Sequence, residues 1–477
     1  VSKKVIRNIS FYTIGSIIPK AIGFFLLPIF TRYLSPAEYG IINYTESVTL
    51  FLFAITILSL NTYLLRYVFD YKKEEDRKKL IGNVFLFITI INCIMLAMEL
   101  ILFPKIILSF NIKVNFHPYF KLALINNFLH IFSVVPLIIF RYKGKAMNFV
   151  AVNATHSFIQ VILSLILVIH FNMGVLGRYY GSLLANVIFL IVYLIIIYNN
   201  AILNLNLPQI KKGLIFSLPL IPGTFLSIII SVSDRIILER FVSLTDLGIY
   251  SVSYTLGMIL QIFAYSSYLT YEPIIFSKIG KNDFAQNIFK IKKYYMNVIF
   301  ILSFLYALFA KDILTIMVSS RFIPGFKIIP IIILSTVFLS ENYLFGTILV
   351  GVKKTNVSFI VNIIGAVINV IVNLLLIPFI GIYGAAFSTL TSYLIMFYFF
   401  YFYLNKYIGI NYLKMNKDII SLLVGSLLIY VIIYYFDYSV NLKFILFKIL
   451  IACIYIIFIS KLNKIRLKDI VNLKNHW

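Results

Sequence analysis

Charged side chains in the middle of long apolar runs are the residues of this sequence with chemistry to perform. Lys20, Glu46, the neighbouring pair Asp234 and Arg235, and Glu341 all stand in such runs, as do the neutral polar residues Gln261 and Asn342. At bilayer depth each costs at least a few kcal/mol unless it faces protein or water. The chemistry they offer is the handling of charge in a non-aqueous setting, not the making or breaking of bonds. Reaction signatures are missing from the sequence: it holds no HExxH motif, no phosphate-cradling GxxxxGK[ST] loop and no paired cysteines. His130 and His156 are single histidines on different segments, so neither a metal nor a cofactor is expected.

The spacing around these residues gives each one an alternative. The first apolar segment carries Thr13, Ser16, Lys20 and Thr31 along one side, interrupted by Pro19 and Pro28. Lys20 is too far from either end to snorkel out, so it lines a cavity, pairs with a carboxylate such as Glu46 or Asp234, or does both. Ser217, Thr224, Ser231 and Arg235 share one face of a later helix, whose inner end is bent by Pro219 and Pro222. Asp234 and Arg235 serve either a cavity or a local lock at the helix mouth. Gln261 and Asn342 either line a cavity or hold helices together. Glu46, Asp234 and Glu341 are the acidic groups that could take up a coupling proton or sodium ion.

The elements that position these groups follow from composition. The chain has 477 residues, 61% hydrophobic and 12% charged, against roughly a quarter charged in a soluble domain. Apolar runs of about 20 residues recur throughout, long enough to cross a bilayer core of about 30 Å. The fold class expected is an all-α polytopic membrane protein. About fourteen helices are predicted, at 9–31, 40–65, 80–108, 119–140, 148–170, 175–198, 213–238, 247–270, 294–318, 328–350, 356–378, 382–404, 418–436 and 443–460. Lys3, Lys4 and Arg7 lead into the first without a small-residue cleavage site, so no cleavable signal is expected.

The net charge of +25 is spread over short loops rather than gathered in a patch, which argues against nucleic acid as a partner. Alternate loops hold most of the basic residues, among them Lys72 to Lys79, Lys143 and Lys145, Lys278 to Lys293, and Lys461 to Lys474. The alternation predicts that both termini and these loops are cytoplasmic. Attraction of the loops to anionic membrane lipids follows.

The chain also repeats itself. Arg32, Tyr33, Leu34, Ser35, Glu38, Tyr39 and Gly40 recur as Arg240, Phe241, Val242, Ser243, Asp246, Leu247 and Gly248, an offset of 208 (248 − 40). Gly174-Val-Leu-Gly177 recurs as Gly381-Ile-Tyr-Gly384, and the polar face Asn153, His156, Gln160 and Ser164 as Asn362, Gly365, Asn369 and Asn373. Two six-helix bundles are predicted, at 1–205 and 206–405, as parallel repeats about an axis along the membrane normal. Two additional helices are expected at 406–460 and a basic tail at 461–477.

Asp234-Arg235-Ile-Ile-Leu, Leu247-Gly248-Ile249-Tyr250-Ser251, the Pro28 to Gly40 stretch and Gly381-Ile-Tyr-Gly384-Ala-Ala carry a resemblance. In them the chain resembles the polysaccharide transporter family, Wzx-type lipid-linked oligosaccharide flippases of the multidrug/oligosaccharidyl-lipid/polysaccharide exporter superfamily. The resemblance implies a V of two six-helix bundles around a central cavity, and alternating-access export of an undecaprenyl-diphosphate-linked glycan across the bacterial cytoplasmic membrane. It implies cationic residues facing the diphosphate, for which Lys20, Arg32, Arg66 and Arg235 are the candidates. It also implies a polysaccharide polymerase and glycosyltransferases as partners. A cation-coupled drug exporter of the same superfamily stays open through Glu46, Asp234 and Glu341. A membrane glycan polymerase or ligase would need a catalytic group, commonly on a sizeable outer loop, and the outer loops here are short.

Overall fold

The computed structural model describes residues 3–279, 284–408 and 442–462. The helix predicted at 418–436, Lys281 and the tail beyond 462 lie outside these residues. Within them the chain is helical and contains no strand. Among the described residues, nine helices are long and apolar enough to cross a membrane, or eleven if each of two bent pairs counts as one span. The protein is an integral, multi-span membrane protein.

Several helices read as continuous from the sequence are broken. The segment predicted at 40–65 forms Pro36–Ile57 and Leu60–Tyr67, parted by Leu58 and Ser59 at φ 51° and 55°. Neither residue is a glycine or proline, so nothing local announces the break. Neighbouring hydroxyls occupy the opened backbone: Ser217 Oγ donates to the Ser59 carbonyl at 3.3 Å, and Ser59 Oγ lies 3.5 Å from Thr224 Oγ1. Such partners make broken helices tolerable inside a membrane. The segment predicted at 247–270 forms Leu244–Gly257 and Leu260–Lys278, bent by 41°. The segment predicted at 294–318 turns by 63° between Leu308 and Ala310. Its helix starts early, at Phe284, which draws Lys292 out of the predicted basic loop and into the helix.

The chain divides into two compact units, Val1–Ser251 and Val252–Trp477. The Leu207–Phe241 segment, the expected opening of the second bundle, belongs to the first unit, where its Ile221–Phe241 part packs on Pro36–Ile57. A 3-10 turn at Leu218–Leu220, with Pro219 at its centre and Pro222 two residues beyond it, interrupts the α-helix.

The repeated motif turns out to be a helix start. Ser35 and Glu38 form a capping box: the Glu38 amide donates to Ser35 Oγ at 3.3 Å, and the Ser35 amide to Glu38 Oε2 at 2.8 Å. In the second copy the Asp246 amide donates to Ser243 Oγ at 3.0 Å. The conserved spacing to glycine has its own reason. A Cβ on Gly40 would sit 2.0 Å from the Leu244 carbonyl oxygen, and one on Gly248 only 1.8 Å from that of Pro36. The two copies therefore cross backbone to backbone within the first unit, and only hydrogen fits at the crossing. Nearby, Arg240 donates to the Phe110 carbonyl at 2.8 Å, and Lys113 Nζ to the Val242 carbonyl at 2.6 Å, tying the 110–113 loop to the same end.

Candidate functional site: a charged cavity in the first unit

Four helices of the first unit, Pro36–Ile57, Lys121–Ile131, Ala146–Leu165 and Gly174–Asn200, surround a cavity of about 340 Å³. Its polar lining comes from stripes at helical spacing. Arg178, Ser182 and Asn186 are four residues apart on one helix; Asn126, Asn127 and His130 lie on another; Glu46 and Thr49 on a third; Gln160 on the fourth.

Glu46 is exposed to this space, and its carboxylate has neither a hydrogen bond nor an ion pair among the described residues. The cations whose charge reaches it are Arg178 and Arg235. The Arg178 guanidinium stands 5.1 Å from the centroid of the Phe30 ring and makes no ion pair or side-chain hydrogen bond among the described residues. A carboxylate and a guanidinium thus face one cavity without neutralising each other at contact. Each keeps hydrogen-bonding capacity for something else.

Beneath them the neutral groups are tied together. Asn126 Nδ2 donates to the Tyr179 carbonyl at 3.2 Å, and Asn186 Nδ2 to Asn126 Oδ1 at 2.9 Å. His156 Nε2 lies 3.1 Å from Asn186 Oδ1, and its ring is stacked 6.5 Å from that of His130. Gln160 donates to Ser182 Oγ at 3.0 Å, and the hydroxyls of Thr45 and Tyr179 bond at 2.5 Å. This network fixes the wall, so the two charges are presented from a rigid frame.

The sequence-predicted residues scatter. Glu46 lines the cavity. Lys20 belongs to the Lys3–Tyr33 helix, but its side chain lies outside the described residues. Arg32 is exposed at that helix's last turn. Arg66 is exposed and bonds Asp70 at 2.6 Å, one turn on. Asp234 and Arg235 are both buried. Arg235 reaches Asp234 Oδ1 at 3.2 Å and the Ser231 carbonyl at 2.9 Å, while the Tyr250 hydroxyl donates to Asp234 Oδ2. That is the geometry of a local lock.

In the second unit Glu341 is buried against Lys292 at 3.3 Å, with Lys292 also 5.4 Å from the centroid of the Phe345 ring. Asn342 donates to the Tyr393 carbonyl at 3.1 Å, and Gln261 to the Tyr343 hydroxyl at 3.3 Å. Both contacts join one helix to another. A second buried pair, Lys448 with Asp312, fastens the Leu442–Leu462 helix to Ala310–Met317.

Arg178 is the functional candidate that sequence reasoning passed over. Its signal was present: Arg178, Ser182 and Asn186 form a polar stripe on an otherwise apolar helix, directly after the Gly174 to Gly177 start.

The chain matches the family of polysaccharide biosynthesis proteins over residues 5–278, and the MatE family over 219–375. It is 26% identical to an uncharacterized membrane protein of Methanocaldococcus jannaschii, covering 89% of this chain and 88% of that one. It is 23% identical to the capsular polysaccharide biosynthesis protein CapF of Staphylococcus aureus, over 84% of this chain and 99% of that one. Among solved structures it is similar to the lipid II flippase MurJ in an inward closed conformation, with a TM-score of 0.70 at 16% identity, covering 94% of this chain and 97% of that one. It is also similar to an inward-facing MATE family multidrug resistance transporter of the MOP superfamily, with a TM-score of 0.63 at 13% identity, covering 85% and 96%. At these identities the structural likenesses speak to the fold. With the match over residues 5–278 spanning more than half of its length, the chain belongs to the polysaccharide biosynthesis protein family.

Proposed function

We propose that the protein is a flippase that carries undecaprenyl-diphosphate-linked oligosaccharide units across the bacterial cytoplasmic membrane, from the inner to the outer leaflet, for surface polysaccharide such as O-antigen or capsule. The observation that carries this reading is the cavity where Arg178 and Glu46 stand among amide and imidazole groups with no ion pair among the described residues. A diphosphate cannot cross hydrocarbon with its charge bare. A guanidinium free to bond it lowers that barrier, while the lipid tail stays in the bilayer. Asn126, Asn127, Gln160 and His130 supply donors and acceptors for sugar hydroxyls. The CapF relative and the MurJ fold support the same substrate class.

In this reading both termini are cytoplasmic, and Pro19, Pro28, Pro219 and Pro222 are the bend points used in alternating access. Lys20, Arg32 and Arg66 serve the headgroup at other stages, while Arg235 stays locked to Asp234. Glycosyltransferases supply the cargo and a polymerase consumes it. Glu46 is the group that would couple transport to a proton or sodium gradient.

The test is Arg178→Ala in cells. Lipid-linked glycan should accumulate on the inner leaflet although the variant protein stays in the membrane; unchanged export would remove Arg178 from the mechanism. A second reading, cation-coupled export of organic cations, is favoured by the unpaired Glu46 and by the MatE match. Efflux of tetraphenylphosphonium that stops in Glu46→Gln, with glycan export untouched, would select it.

A further inference from the structure

The Leu260–Lys278 helix of the second unit carries Gln261, Tyr265, Tyr268 and Glu272. At steps of four, three and four residues they fall on one face of the helix. Tyr265 is 40% exposed, and the other three are half-buried. The Tyr268 hydroxyl donates to Glu272 Oε1 at 2.7 Å, and Gln261 donates to the Tyr343 hydroxyl at 3.3 Å. A stripe with a carboxylate, an amide and phenol groups along a membrane-spanning helix is costly against acyl chains, so this face is turned to protein or water. Among the described residues, protein covers this face only in part.

The rings form a continuous surface. The centroids of Tyr265 and Tyr268 are 5.7 Å apart, those of Tyr265 and Tyr343 6.1 Å, and those of Tyr268 and Tyr343 5.5 Å. These are contact distances between rings. An organic cation held in an aromatic cage needs open space between ring faces to sit over each of them; these three fill that space with one another. What remains is a wall whose flat apolar area is edged by hydroxyl, amide and carboxylate groups. A pyranose ring has the matching chemistry, an apolar C–H face edged by hydroxyls.

The geometry points to Tyr265, Tyr268 and Tyr343, with Gln261 and Glu272, as a docking wall for a neutral sugar ring of the transported glycan, separate from the Arg178 cavity. It rests on the flippase reading and adds a site selective for sugar over phosphate. Glu272 and the electron-rich ring faces disfavour a diphosphate here.

The experiment measures binding to the detergent-solubilised full chain with two probes, undecaprenyl diphosphate and undecaprenyl-diphosphate-linked N-acetylglucosamine. Wild type should bind the glycosylated lipid more tightly. Tyr265→Ala removes the most exposed ring at least cost to folding. It should weaken the glycosylated probe about three- to tenfold, the worth of one aromatic contact, and leave the bare lipid unchanged. Tyr265→Phe keeps the ring and should keep the affinity. Equal loss on both probes, or no loss on either, overturns the wall and leaves the flippase reading standing. A wild-type protein that binds neither lipid but takes tetraphenylphosphonium overturns both.

Discussion

Glu46 and Arg178 face a shared cavity in the first unit without an ion pair between them, whereas Lys292 and Glu341 in the second close to 3.3 Å with side chains only 2% and 4% exposed. Both arrangements place a carboxylate and a cation within a helical membrane bundle. They differ in what the charges have left to do. The sealed pair has spent its electrostatic capacity on itself, and breaking it leaves one charge stranded. The open charges make no ion pair with each other and keep hydrogen-bonding capacity for another group. Charge alone at membrane depth therefore does not single out a transport candidate; exposure to a cavity is the further condition.

The sharpest break of this comparison is Lys292→Ala. It abandons Glu341 in a site whose Oε2 already has no hydrogen-bond partner among the described residues, and the loss expected is about 3–5 kcal/mol. Thermal unfolding of the purified protein in detergent should show a much lower midpoint. The double variant Lys292→Met with Glu341→Leu should recover most of it, since apolar replacement of a buried pair is often neutral or stabilising. A midpoint equally low in both variants would mean that the pair is held for its bond and not for mutual neutralisation.

A smaller effect is expected at Lys448 and Asp312. This pair is less sealed, with Asp312 12% exposed. Lys448→Met should lower the midpoint by less than Lys292→Ala, because water can reach the remaining carboxylate. Limited proteolysis reads the outcome locally: the Leu442–Leu462 helix should become more susceptible while the first unit stays resistant. A drop matching that of Lys292→Ala would mean that partial exposure brings no relief.

How far these differences were legible beforehand depends on the signal each leaves. Long apolar runs fix membrane helices because every backbone amide must be bonded within its own helix, and the Arg32 to Gly40 and Arg240 to Gly248 motifs named two helix starts through their Ser-x-x-acid spacing. The break at Leu58 and Ser59 left no such mark. Its left-handed residues are held by tertiary partners, Ser217 and Thr224, from far along the chain. Lys292 was read as a loop residue because basic clusters usually flank membrane helices, and only the early helix start at Phe284 carries it to Glu341. Glu341 and Asp234 could not be told from Glu46 by sequence, since partners 49 and 16 residues away decide their state (341 − 292; 250 − 234). Arg178 could have been found from its stripe, which sits where helix starts are ordinarily read for turns.

On the open side of the comparison, Glu46→Gln should leave the unfolding midpoint unchanged, because the carboxylate makes no bond among the described residues for the amide to lose. Export should fall all the same if the charge serves transport. Retained export with an unchanged midpoint would make Glu46 a bystander in a wet space and leave Arg178 to carry the cavity's role.

The least effect belongs to Arg66→Ala. Arg66 forms an ion pair at 2.6 Å, shorter than that of Lys292 with Glu341, yet both partners are well exposed, at 60% and 48%. Distance alone would rank it as the stronger bond. Solvent screening and the entropy of two mobile side chains cancel most of what proximity provides, so the midpoint should not move. If export also holds, geometry at contact is shown to matter less than enclosure, which is the difference between this pair and Lys292 with Glu341. If export falls with the fold intact, Arg66 works by meeting the cargo at the surface, and its bond to Asp70 is one that the headgroup displaces.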